Sequence, residues 1–419
     1  MTESGLEIIA AIVFAIALLH TFSAPVFLRL AHRSKRHGGL LHLLGEVEVV
    51  FGFWAAILLI LMALAASGET AMAYAESRNY TEPAFVFVVM VIAASLPVLT
   101  VVMRLVERLA RLLPVRDQTA KAWLCLALVP LAGSLVTEPA AMTIAAMMLA
   151  PQVFHREMPE RLKYLALGVL FVNISVGGTL TSYAAPPVLM VASTWGWDSA
   201  FMFSHFGWKA ALAVLINATL VTLVLRPYLR SGDVLSLKAS APPMSPVVIA
   251  VHLFFLAAVV LSAHHPIIFL GLFLFFIGYT QAYKAHQSPL IIKEALLVGF
   301  FLAGLVVLGG MQQWWLQPIV SGLEPDVLFI GALALTAITD NAALTYLGSL
   351  IDGISSQAQY MLVAGAVAGG GLTVIANAPN PAGVALLRGG FANGGVSMLG
   401  LLMAALGPTA IAAAMLFFL

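Results

Sequence analysis

Two acidic residues stand where the chain is otherwise oily. Glu138 lies in Thr137-Glu138-Pro139-Ala140-Ala141-Met142-Thr143, inside a run from Ala122 to Pro151 with no other charged residue. Asp340 lies in a second stretch of the same kind, Thr339-Asp340-Asn341-Ala342-Ala343-Leu344-Thr345. An ionised carboxylate in hydrocarbon is costly, so such residues persist where they face a cavity or a partner. Hard oxygen ligands accompany them: hydroxyls of Thr137, Thr143, Thr181, Thr339, Thr345 and Thr373, and amides of Asn341, Asn377 and Asn380. That set suits Na⁺, Li⁺ or H⁺ rather than a soft metal. A carboxylate there can hold either a cation or a proton, and the two compete for it. No Lys or Arg lies near either acid, which weighs against an anionic ligand. Asn377 and Asn380 also have a plainer reading, as caps of broken helices.

The rest of the chain must hold these acids at depth. Of 419 residues, 61% are hydrophobic and 9% charged, with mean hydropathy +1.01. A soluble domain of this size carries about 25% charge, so the composition belongs in a bilayer. The net charge of +1 argues against nucleic acid as a partner. Cys125, the single cysteine, excludes an internal disulfide and a multi-thiolate metal site. Apolar segments read as membrane helices at Leu6–Leu30, Gly45–Ala66 and Ala84–Met103. The basic segment Arg104–Arg116 has charges at helical spacing against a leucine face and should lie along the membrane surface. A hairpin is expected at 119–152, a helix over 160–195 broken around Gly177-Gly178, and a last helix at His205–Leu225.

A polar, Pro-containing linker at 226–244 separates this half from a second one with the same plan. It has scaffold helices within 245–309, a connector at 310–325 and a hairpin at 326–352. A helix over 358–389 broken around Gly370-Gly371 follows, then a helix at 396–419. The halves align locally. Thr137-Glu138-x-Ala140-Ala141-x-Thr143 matches Thr339-Asp340-x-Ala342-Ala343-x-Thr345, and Gly178-x-Leu180-Thr181-x-x-Ala184-x-x-Pro187 matches Gly370-x-Leu372-Thr373-x-x-Ala376-x-x-Pro379. Each interrupted run has about 13 to 15 residues on either side of its break, half of what a spanning pair needs. They read as re-entrant hairpins, with Pro139 and the glycine pairs breaking helices at membrane depth. Each half then crosses the bilayer five times, and the odd count inverts the second half. With both termini outside, every Lys and Arg except Arg78 and Lys209 falls on the cytoplasmic side. The fold expected is an all-α polytopic membrane protein built as an inverted repeat of residues 1–225 and 245–419.

This order of scaffold helices, hairpin, broken helix and final helix resembles the ion transporter superfamily. "VNISVGGTLTSYAAPPVLMVA" and "ITDNAALT" are most similar to its Na⁺/H⁺ antiporter branch, of the NhaD type. The architecture covers nearly the whole chain, while the specific motifs cover about 60 residues. The resemblance implies a mobile transport domain made from the hairpins and broken helices, and an elevator-like movement. It also implies a homodimer held by scaffold helices and residence in a bacterial inner membrane. Carried over residue by residue, the tips are Thr137-Glu138-Pro139 and Thr339-Asp340-Asn341. The broken elements are Gly178 to Thr181 with Pro186-Pro187, and Gly371 to Asn380. The Ser-Asn-Thr signature of the superfamily's dicarboxylate branch is absent from both tips. Pro139 stands where the second tip has Asn341, so the half-sites differ, and if only one binds cation the pattern favours Asp340-Asn341.

The expectation is thus a Na⁺(Li⁺)/H⁺ antiporter, not an enzyme, with no resident cofactor. Na⁺ or Li⁺ at Glu138, Asp340 and Asn341 and H⁺ would be its cargo. The nearest rival is a cation-coupled transporter of a small oxyanion or carboxylate, with helix N-termini holding the anion. An intramembrane hydrolase using the acid pair and a channel are weaker alternatives.

Overall fold

An apolar chain satisfies its backbone most simply in helices, and the described residues form helices with no strand. The structure, a computed structural model, describes residues 3–34, 36–230, 244–392 and 394–419. Residues 231–243 of the expected linker lie outside the described residues. Six of the described helices are long and apolar enough to cross a membrane, or up to eight if each of two bent pairs is one span. Pro246–Leu261 and Pro266–Ala282 are apolar but shorter. This is the architecture of a multi-pass membrane protein.

Two helices break where the apolar pattern runs straight through. The span expected at Ala84–Met103 is two helices, Thr81–Ala93 and Leu96–Leu112, bent by 63°. Ser95 is extended (φ −67°, ψ 145°) and Pro97 starts the second helix, because a proline ring clashes with continued helix before it and brings no N–H. The amphipathic segment expected from Arg104 therefore begins at Leu96. It buries Val98, Val102, Val106 and Ala110 and exposes Arg108 and Arg111. The outer limb of the first hairpin bends by 42° between Asp117–Leu126 and Leu128–Val136. A carbonyl freed by that bend, Leu126 O, accepts from Asn173 Nδ2 at 2.8 Å.

The chain divides into two compact units that do not coincide with the sequence halves. The first unit is Met1–Phe87, Ile292–Leu323 and Tyr346–Ser355. Within it, helices Val47–Ala65 and Ile292–Gly309 cross at Gly52 and Gly304, where a side chain on Gly304 would meet the Gly52 backbone. Small residues allow such close approach in membrane helices. Both ring nitrogens of His20 are used there: Nε2 pairs with Leu44 O (2.9 Å) and Nδ1 accepts from Trp54 Nε1 (3.0 Å).

The second unit is Val88–Ile291, Glu324–Thr345 and Ser356–Leu419, and it holds both acidic tips. Helix Glu160–Gly177 is buried along its length and packs against helices Trp208–Leu225 and Met398–Phe418. Helix Pro325–Thr336 packs against Ser356–Gly369, with Gly365 and Gly369 facing the backbones of Phe329 and Leu333. The Gly365-to-Gly369 stretch is thus a close-packing seam. His252 is again satisfied, with Nδ1 donating to Val248 O and Nε2 accepting from Gln287.

Candidate cation site

The first tip is a single residue. Thr137 N donates to Gly133 O (2.7 Å) and so ends helix Leu128–Val136, while Ala141 N donates to Thr137 O (3.1 Å) and starts Glu138–Val153. The reversal is absorbed at Thr137, with φ 84° and ψ 150°, the one positive φ outside glycine among the described residues. Pro139 does not unwind a helix as its position in the run suggested. It sits in the first turn of Glu138–Val153, where its missing N–H costs nothing and its fixed φ suits the helix.

Glu138 is completely buried. Its Oε2 accepts from Asn377 Nδ2 at 2.7 Å, and its Oε1 has no partner. Gly178 explains how the carboxylate fits: any side chain at that position would collide with Glu138 Oε1. A buried carboxylate with one oxygen unmet is an unstable arrangement unless a cation or a proton completes it.

The second tip is longer. Helix Pro325–Thr336 ends, residues 337–340 form a loop, and helix Asn341–Ser349 begins. Asp340 is partly buried, and its Oδ1 accepts from Ala342 N (2.8 Å) and Ala343 N (3.3 Å). It acts as the helix N-cap. Asn341 is fully buried, its N–H donates to Ala376 O (3.1 Å), and its Oδ1 has no partner.

Hydrogen bonds join the tips to the broken segments. Asn377 reaches Glu138, its neighbour Ala376 reaches Asn341, and Asn341 Nδ2 lies 3.4 Å from Ser175 Oγ. Asn380 Nδ2 donates to Gly370 O (2.8 Å) and Thr373 O (2.9 Å), bracing the break. Along this chain Thr137 Oγ1, Glu138 Oε1, Asn341 Oδ1, Asn377 Oδ1 and Asn380 Oδ1 are all buried and unpartnered. Every one is an oxygen. No cluster of three or more His, Cys, Asp or Glu suited to a metal occurs among the described residues. Such oxygen donors suit a hard cation rather than a soft one.

Other sequence candidates hold the frame. Thr181 Oγ1 donates to Ser134 O (2.6 Å) and Thr373 Oγ1 to Ala337 O (2.9 Å). Thr143 and Thr345 bond within their own helices, to Pro139 O and Ala342 O. Thr339 is partly buried. Gly177 abuts the Pro130 backbone and Gly371 the Val172 backbone. Pro186 and Pro187 begin helix Pro186–Trp195.

The aligned glycines of the two halves are crowded in similar ways. Gly177 abuts the Pro130 backbone and Gly369 the Leu333 backbone, while a side chain at Gly178 would meet Glu138 and one at Gly370 would meet Ser175 and the Asn341 amide. Two serines outside the aligned motifs tie these segments together. Ser134 donates to Gly177 O (2.7 Å) and accepts from Leu180 N (2.9 Å), while Ser175 donates to Val367 O (2.8 Å). Each was visible as a hydroxyl in an oily run, Ser134 one helical turn before Glu138.

A family model described as "Putative Na+/H+ antiporter" matches residues 5–419. The chain belongs to that family. The family is one of membrane transporters rather than of enzymes, in keeping with the apolar helices. No curated protein matches the chain.

Proposed function

We propose that the chain exchanges Na⁺ (or Li⁺) for H⁺ as a secondary active transporter of a bacterial inner membrane, with cation and proton competing for Glu138. The observation that carries this is the buried Glu138 carboxylate, held at Oε2 by Asn377 and open at Oε1. Thr137, Asn341, Asn377 and Asn380 supply the neutral oxygens. Family membership supports the exchange itself.

The architecture we infer is an inverted repeat of the ion transporter type, working as an elevator in a homodimer. The duplicated glycine contacts support it. So does the Ser175–Val367 hydrogen bond: each residue lies three positions before its half's aligned glycine, Gly178 or Gly370. Equivalent residues touch where a pseudo-two-fold axis passes. Broken helices at such an axis are where coupling ions bind in inverted-repeat transporters.

The test is proton flux in proteoliposomes with a trapped pH dye, on addition of NaCl, LiCl, KCl or choline chloride. Wild type moves protons only with Na⁺ or Li⁺, and folded Glu138→Gln moves none. Silence of the wild type with every salt refutes exchange and turns the search to small-anion transport.

A further inference from the structure

The tips align as a pair of carboxylates, yet their atoms are spent differently. At the first tip the acid itself is fully buried with an oxygen left open, and the neighbouring backbone turns on Thr137 without a side-chain cap. At the second tip the acid is partly buried and its Oδ1 takes two backbone N–H groups of the following helix. There it is the amide of Asn341 that is fully buried with its oxygen open. Asn341 is held from two directions, by the capped helix that it begins and by its N–H on Ala376 O.

We propose that the cargo shell contains one carboxylate, Glu138, completed by the neutral oxygens of Thr137, Asn341, Asn377 and Asn380, and that Asp340 is a positioning residue. Asp340 holds Asn341 in the shell by capping its helix and does not touch the cation. This rests on the cation-exchange reading above and narrows its cargo to a single monovalent cation per site. One carboxylate neutralises one unit charge. A divalent ion would leave a net positive charge in a low-dielectric interior, where an uncompensated charge is strongly disfavoured. Two carboxylates in the shell would reverse that preference.

Binding and exchange are measured separately on the full-length purified protein. Binding is read as the shift in thermal unfolding in detergent with NaCl, LiCl or CaCl₂ against choline chloride. Exchange is read as Na⁺-driven proton flux in proteoliposomes. Losing a cap weakens a helix start by an amount equivalent to about a fivefold change in an equilibrium constant, so Asp340→Ala raises half-saturating Na⁺ about fivefold. Asp340→Ser and Asp340→Asn restore it, because both side chains cap and neither carries a charge. Glu138→Gln abolishes the Na⁺-dependent shift. Asn377→Asp, which adds a second carboxylate to the shell, gains a Ca²⁺-dependent shift that the wild type lacks.

The proposal is overturned if folded Asp340→Ser and Asp340→Asn lose the Na⁺ shift as completely as Glu138→Gln does. It is also overturned if Ca²⁺ stabilises the wild type as well as Na⁺ does, or if neither Na⁺ nor Li⁺ stabilises it at all. A wild type that binds Na⁺ with the expected variant pattern but moves no protons refutes exchange while upholding the single-carboxylate shell.

Discussion

The first tip turns in one residue and the second in four, and that difference sorts their acids. In the one-residue turn Thr137 itself stands at the cap position without a side-chain cap bond, and Glu138 falls in the first turn of the next helix, inside the protein. In the four-residue loop at 337–340 the last residue reaches the cap position, so Asp340 serves the backbone and Asn341 goes inward. Alignment pairs Glu138 with Asp340. The buried oxygens left without a partner are those of Glu138 at the first tip and of Asn341 at the second. Two residues can thus share an aligned sequence position and differ in their contacts by one step of backbone.

The sharpest way to break this comparison is at the glycines. Gly178→Ala pushes a methyl group against Oε1, Cδ and Cγ of Glu138, so the carboxylate must move. Loss of an interaction to a charged group costs about 1.5–3 kcal/mol, so Na⁺-driven proton flux should fall more than about tenfold. A variant that exchanges like wild type would show that Oε1 is not where cargo binds. A smaller and deliberately equal effect is expected at the two anchoring hydroxyls. Thr181→Val and Thr373→Val each orphan a carbonyl, of Ser134 and Ala337, and each should cost about 1–3 kcal/mol in thermal unfolding. Unequal losses would mean that the frames of the two tips differ as well as their acids. The smallest effect has the opposite sign. Thr137 occupies a region natural to glycine, and such strain is worth about 1–3 kcal/mol, so Thr137→Gly should raise the melting temperature. The same change should weaken Na⁺ binding by removing Oγ1, and a variant gaining both stability and affinity would remove Thr137 from the shell. The second tip offers no counterpart, since none of its residues has positive φ.

Much of this was legible in the chain. A lone Glu138 among twenty-nine uncharged neighbours, a matching Thr339-to-Thr345 stretch and two glycine pairs marked the candidate site residues and the helix breaks. The all-helical membrane class followed from composition. The bend at Ala94-Ser95 and the break at Ala127 do not show in hydropathy, which runs unbroken through both, and Pro97 is the local signal for the first. Ser134 and Ser175 were hidden for a related reason: a hydroxyl in a helix more often bonds its own backbone than another segment's. Pro139 was seen as a breaker because a proline inside an apolar run usually is one. At the first turn of a helix it is an initiator.

The sequence by itself determined that this chain lives in a bilayer and where its carboxylates and glycines fall, since burial of charge and helix propensity act locally along the chain. Only the tertiary structure decided that Asn377, 239 residues away, meets Glu138, that Asp340 caps its own helix, and that oxygens of Thr137, Glu138, Asn341, Asn377 and Asn380 are buried without a partner. Hydrogen-bond partnership depends on which groups are left over once every helix is packed, and no local pattern records that.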